Sequence, residues 1–187
     1  LEAGHYLIFN RRGVEVQAYD NLSFRQSESR PPVDWRDYSA SLYKTLRSAV
    51  ERELVSDVPV GVLLSGGLDS STIAALMVDL YPGKVESFTV GFEEGSFDES
   101  KYARQVAQRL NTNHNEMILT SRKAVDLVAE ISNFMDEPFA DSSIIPTYLL
   151  SRFARQKVKV VLGGDGGDEL FAGYPTVLSH RLIGYYE

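Results

Sequence analysis

Three serines and one carboxylate crowd a pair of glycines in the stretch Val60-Gly61-Val62-Leu63-Leu64-Ser65-Gly66-Gly67-Leu68-Asp69-Ser70-Ser71. Glycines allow positive φ and close approach of backbone to a ligand. A glycine turn that opens a helix offers N–H groups and a helix N-terminus to an anion. The hydroxyls of Ser65, Ser70 and Ser71 add donors. Asp69 would repel a phosphate directly, but suits a site in which Mg²⁺, held by one or two carboxylates and phosphate oxygens, lies between the two. A ligand-free turn needs neither the serines nor the Asp.

A second stretch repeats the theme. Gly163-Gly164-Asp165-Gly166-Gly167-Asp168-Glu169 puts four glycines and three carboxylates in seven residues. Gly163 and Gly164 would admit a ribose or adenine, and Asp168 would face Asp69 as a second Mg²⁺ carboxylate. Two such carboxylates, bridging metal to phosphate oxygens, would let the metal offset charge on a leaving group. Asp165 either sits near the reacting carbonyl as a hydrogen-bonding or acid/base group, or fixes its own loop. The first loop is not a Walker A motif, because Leu68-Asp69 stands where G-x-x-x-x-G-K-[ST] requires Lys. Transfer of a γ-phosphoryl group is therefore disfavoured.

Ser65-Gly66-Gly67-Leu68-Asp69-Ser70 resembles the pyrophosphate loop (PP-loop) of the ATP pyrophosphatases, which split ATP between α and β phosphates. Adding the strand from Ser87 to Phe92, Asp136-Glu137-Pro138, Pro146-Thr147-Tyr148 and residues 163–174 in that order, roughly residues 36–178 resemble the synthetase domain of the glutamine-hydrolysing asparagine synthetases. The resemblance implies an adenine nucleotide alpha hydrolase-like fold and a reaction in two steps. Aspartate and ATP give β-aspartyl-AMP and pyrophosphate, and ammonia from glutamine then displaces AMP to give asparagine. It implies that Leu63, Val90, Gly163 and Gly164 contact adenine and ribose. Ser65, Gly66, Gly67, Asp69 and Ser70 would hold pyrophosphate, Asp69 and Asp168 would hold Mg²⁺, and Asp165 would be catalytic. Many members have Glu at the position of Asp165, about one methylene longer.

Two departures bear on competence. The chain has no Cys, so the family's glutamine-hydrolysing nucleophile is missing, and so is the C-terminal part that brings a catalytic Lys. With Leu1 first and no stop signal at the end, the sequence reads as a piece of a longer chain. Residues 1–20 would be the hairpin tail of a glutaminase domain, 21–33 a linker, and 34–187 a C-terminally truncated synthetase domain. The piece would hold an ATP site without completing the reaction alone. The partners implied are ATP, aspartate, ammonia and the glutaminase domain of the same parent chain, with a homodimer also in view. Rival readings are an amidotransferase of the same fold acting on another carboxylate, as in a β-lactam synthetase, or a non-catalytic nucleotide-binding module.

Composition narrows the classes further. The chain has 187 residues, 43% hydrophobic and 24% charged, with net charge −7, enough for one α/β core. No Lys/Arg cluster marks a nucleic-acid surface. The absence of cysteine excludes disulfides and Cys-based zinc, and His5, His114 and His180 have no ligand spacing. No run approaches the ~20 apolar residues of a membrane span, and no signal peptide is evident, so the cytoplasm is expected.

The elements that must position the two loops alternate. Residues 60–64 read as a strand buried on both faces. Ile73, Leu76, Met77 and Leu80 then form a helical stripe, ended by Tyr81-Pro82-Gly83. Residues 85–92, 115–119 and 158–162 read as further strands. Helices follow on Leu42, Leu46, Ala49 and Val50; on Tyr102, Val106, Ala107 and Leu110; on Ala124, Leu127, Val128 and Ile131; and over 147–156. Ser96 to Glu99 fits a capping box. Asp136 to Ser143 either lines the amino-acid substrate or shapes a helix start. At the N-terminus, His5 to Phe9 and Val14 to Tyr19 flank a four-residue loop as a hairpin, which must pack on something to be stable. Strand–helix alternation predicts a three-layer α/β/α domain with a parallel sheet, and ligands then bind beyond the carboxyl ends of the strands.

Overall fold

The computed structural model describes residues 1–20, 34–96, 98–137 and 140–183; the expected linker at 21–33 lies outside them. The chain divides into two units, Leu1–Ser41 and Leu42–Glu187.

In the first unit, β1 (His5–Asn10) pairs antiparallel with β2 (Gly13–Ala18). The connection is shorter than the pattern suggests. Asn10 and Gly13 pair across the ladder, leaving only Arg11-Arg12 at the tip. Asn10 Oδ1 accepts a hydrogen bond from the Arg12 N–H at 2.8 Å, and Gly13 takes φ 121°, a conformation open to glycine. Both faces of β2 are exposed.

The second unit is a four-stranded parallel sheet in the order β5-β4-β3-β6, made by β3 (Val60–Leu63), β4 (Glu86–Phe92), β5 (Asn113–Leu119) and β6 (Val160–Leu162). Helix α1 (Trp35–Glu53) runs across the division between units. Helices α2 (Leu68–Leu80), α3 (Ser100–Leu110), α4 (Ser121–Ile131), α5 (Ile144–Ala154), α6 (Gly167–Phe171) and α7 (Pro175–Ile183) complete the chain. The pleat sorts the core. Val60, Val62 and Leu64 turn to Ala74, Leu76 and Met77 of α2, Ala103 and Ala107 of α3, and Val50 of α1. On the opposite face, Leu63, Phe88 and Val161 meet Leu150, Phe153 and Ala154 of α5, and Leu119 meets Leu127, Ile131 and Leu149. This is the expected three-layer α/β/α arrangement.

Phe88 is fully buried, and its ring meets Phe153 edge-on, centroids 5.9 Å apart at 87°. Gly61 makes room for it: a Cβ there would stand 2.8 Å from Phe88 Cε2 and 3.2 Å from Val158 Cγ2.

Some boundaries differ from the pattern. Ser96 does not cap α3; its hydroxyl donates to Glu94 Oε1, and the helix opens at Ser100. Asp98 does the work instead, accepting from the N–H groups of Phe92 and Ser100 and from Ser100 Oγ. That local hydrogen-bond set competes with a capping box and holds the Asp98 carboxyl below its usual range. Tyr102 and Val128, placed on apolar helix faces by the pattern, are exposed, because Ala103 and Ala107, and Leu127 and Ile131, supply the buried positions. Helix α5 starts three residues early, with Pro146 in its first turn. Among the described residues no helix is long and apolar enough to cross a membrane.

Candidate functional site

From β3 the chain steps outward to β4 and β5, then returns to lay β6 on the other side of β3. The loops leaving β3 and β6 therefore part at a topological switch point, the place where open α/β sheets bind ligands. Both glycine stretches are those loops.

The first loop is held by its own serines. Ser65 Oγ and Ser70 Oγ lie 2.9 Å apart. Gly67 N–H donates to Ser65 Oγ at 3.2 Å, and Ser65 N–H donates to Ser70 Oγ at 3.3 Å. Gly67 is the N-cap of α2 without a side-chain cap, and Asp69 lies in the first turn. Gly66, at φ 85°, is not among the residues lining the cleft. Its constraint is a neighbour: a Cβ would stand 2.5 Å from Tyr102 C and Ala103 N.

The second loop closes against the first. A Cβ on Gly164 would stand 2.7 Å from Ser70 N and 3.0 Å from Asp69 C, and one on Gly167 would stand 2.5 Å from Asp69 Cγ. At Gly164 backbone meets backbone, whereas at Gly167 the neighbour is the Asp69 side chain. Asp165 folds back on its own loop, with its Oδ2 2.6 Å from where a Gly163 side chain would begin. Gly166 turns the chain at φ 87°, and α6 follows with Asp168 and Glu169 in its first turn. A Cβ on Gly173 would fall on Asp168 Oδ1. Tyr174 OH donates to Glu169 Oε1 at 2.6 Å. That phenol holds the Glu169 carboxyl below its usual range, and the same bond raises the tyrosine's.

Together the loops wall an open cleft of about 910 Å³. It is lined by Leu63, Ser65, Gly67, Asp69, Ser70, Val90, Gly163, Gly164, Asp165 and Asp168, which is every predicted site residue except Gly66. Sequence reasoning missed Thr89, Phe92, Glu99 and Phe171. Thr89 is buried with its hydroxyl donating to the Leu64 carbonyl, so it fixes the exit of β3; only its place one residue before Val90 could have flagged it. Glu99 was read as half of a capping box. The loop at 135–143 contributes nothing to the cleft among its described residues. Asp141 Oδ1 accepts from Ser143 N–H at 2.8 Å, shaping the start of α5, while Pro146 and Thr147 reach the wall.

Five carboxylates line the cleft and, among the described residues, no Lys, Arg or His does. No cluster of three or more His, Cys, Asp or Glu among the described residues could hold a metal. Asp69 and Asp168 both line the cleft, and carboxylate oxygens are the donors that suit Mg²⁺, which keeps ligand and water oxygens. The glycine cradle, its N–H groups and the apolar walls Leu63 and Val90 suit an adenine nucleotide.

A four-stranded parallel sheet with its cleft at the switch point defines an α/β ligand-binding class. Residues 41–185 match the asparagine synthase family, and the chain belongs to that family. It is 40% identical over 180 residues to a putative glutamine-hydrolyzing asparagine synthetase 2 of Methanocaldococcus jannaschii, covering 96% of this chain and 34% of that protein. It is 36% identical over 161 residues to glutamine-hydrolyzing asparagine synthetase 1 of Bacillus subtilis, covering 86% of this chain and 25% of that one. The chain thus spans about a third or less of the length of these relatives. Among solved structures, a glutamine-dependent NAD+ synthetase from Acinetobacter baumannii in complex with ADP shares the fold, with TM-score 0.55, 24% identity, and coverage of 79% of this chain and 29% of that one.

Proposed function

We propose that this chain is the ATP-splitting part of an asparagine synthetase. In this reading the β-carboxylate of aspartate attacks the α-phosphorus of ATP, giving β-aspartyl-AMP and pyrophosphate. Ammonia then attacks the acyl carbon, the bond to the AMP oxygen breaks, and asparagine forms as nitrogen loses a proton. The observation that carries the reading is the closure of the second glycine loop on the first, with Gly164 against Ser70 N at the α2 N-terminus.

The roles follow from the chemistry. Leu63 and Val90 provide apolar walls for adenine, and Gly163 and Gly164 let ribose approach. The N–H groups at the N-terminus of α2 and the hydroxyls of Ser65 and Ser70 would donate to the pyrophosphate oxygens. Asp69 and Asp168 would hold Mg²⁺, which neutralises charge on the departing pyrophosphate. Asp165 also lines the cleft, where its carboxylate would accept the proton that the attacking nitrogen loses. An acidic cleft with no cationic side chain among the described residues favours ATP brought in with its metal.

We further propose that residues 1–20 are the tail of a glutaminase domain, 21–33 a linker and 34–187 part of a synthetase domain, so that the parent chain supplies ammonia from glutamine. The test is product analysis in the full-length protein with ATP, Mg²⁺, ammonia and aspartate. Aspartate-dependent formation of AMP, pyrophosphate and asparagine is expected. ADP and phosphate, or pyrophosphate release indifferent to aspartate, would refute the reading.

A further inference from the structure

The turn that follows the second glycine loop does more than leave the cleft. After α6 the chain reverses at Ala172, which takes φ 61° and ψ 40°. Gly173 N–H then donates back to the Asp168 carbonyl at 3.2 Å. Asp168 Oδ1 occupies the space that a side chain on Gly173 would fill. One residue on, the Tyr174 hydroxyl donates to Glu169 Oε1 at 2.6 Å. Asp168, Glu169, Gly173 and Tyr174 all stand on the wall of the cleft. Residues 168–174 are thus a closed ring, shut by the Ala172 and Gly173 N–H groups on the Asp168 carbonyl and by one side-chain bond, with the Asp168 carboxylate laid against its far side.

We propose that Gly173 and the Tyr174–Glu169 pair are positioning residues for Asp168: the glycine leaves the space its carboxylate needs, and the phenol–carboxylate bond keeps the ring shut around it. This rests on the reading of Asp168 as a metal carboxylate. None of the three positioning groups need touch the metal. Glu169 acts as an acceptor for the phenol, a role in which the neutral carbonyl of Gln can replace it. Gly173 does not need positive φ, so Ala there fits the backbone and collides only with the movable end of Asp168.

The test uses Mn²⁺ with α,β-methylene-ATP on the chain, followed by electron paramagnetic resonance of the bound ion. Nucleotide binding in EDTA is measured alongside. Tyr174→Phe and Glu169→Ala should each weaken Mn²⁺-dependent binding by about 3- to 10-fold, the scale of one lost hydrogen bond. Gly173→Ala should weaken it at least as much, and Glu169→Gln should remain near the parent. Metal-free nucleotide binding should be no weaker in any of the four, which separates a re-aimed carboxylate from a damaged fold. Asp168→Asn is the reference. If it weakens Mn²⁺-dependent binding while Tyr174→Phe and Gly173→Ala do not, the inference is wrong and the reading of Asp168 stands. If Asp168→Asn changes nothing, the metal role fails and the inference with it. Equal losses with and without metal, or a Glu169→Gln loss as large as that of Glu169→Ala, would overturn the positioning role.

Discussion

Gly164→Ala is the sharpest perturbation of the contact on which the site depends. The added methyl would stand 2.7 Å from Ser70 N and 3.0 Å from Asp69 C and Asp69 Cβ, where 3.4 Å begins ordinary contact. The two nearest neighbours are backbone at the first turn of α2, so no rotamer change relieves the clash. The two loops must part by several tenths of an ångström. Overpacking of this kind costs about 1–3 kcal/mol. The same displacement separates the donors of the first loop from the second wall. Nucleotide affinity should therefore fall about tenfold or more, the effect of ~1.4 kcal/mol. Gly95→Ala is the control, since a Cβ there meets nothing within 4 Å and the backbone φ is unremarkable for an L residue. Urea midpoints and calorimetric titration with ATP·Mg²⁺ would be compared for both variants. If Gly164→Ala matches Gly95→Ala in both measurements, the loops do not form one site.

Three further outcomes follow from the packing. Phe88→Ala removes a fully buried ring and its edge contact with Phe153, and should destabilise the domain by about 3–5 kcal/mol in chemical denaturation. Ala172→Gly relieves a left-handed L residue and should raise stability by about 1 kcal/mol, read from the same midpoints. His114 is pushed below its usual pKa by burial, which outweighs Glu116 at 3.7 Å, while Arg104 pushes it the same way. The unfolded chain then binds the extra proton, so stability should fall as pH drops below about 6.5 and level off below the folded pKa, with a slope no steeper than ~1.4 kcal/mol per unit. His114→Gln should flatten that segment, whereas the loss from Glu86 and Asp98, also lowered, belongs to the carboxylate range at more acid pH.

Much of this fold was legible because its signals are local. The apolar run at 60–64, the stripe Ile73-Leu76-Met77-Leu80 and the two glycine stretches each report on one strand, helix or turn. Their adjacency in the sheet is in no residue pattern: β6 lies beside β3 although β4 and β5 come between them in sequence. What was not legible depends on partners distant in sequence. Glycine at 61 is set by the ring of Phe88, and glycine at 66 by the first turn of α3. Ser96 and Glu99 match a capping box in spacing, yet Asp98 wins by accepting from Phe92 across the loop. Thr89 reaches the site only because β4 lies beside β3, where its hydroxyl finds the Leu64 carbonyl. Such competition between local and tertiary hydrogen bonds cannot be read one residue at a time.

The central claim is that the loops at 65–70 and 163–168 form one site for ATP with its metal. The most direct measurement is calorimetric titration of ATP·Mg²⁺ into the chain, into Asp69→Asn, into Asp168→Asn and into the double variant. One-to-one binding is predicted, weakened by either substitution, with the double variant losing little more than the weaker single one, because groups that act as a unit do not add. Losses that add to within about 0.5 kcal/mol would mean two independent sites, and unchanged binding in Asp69→Asn would contradict the account outright.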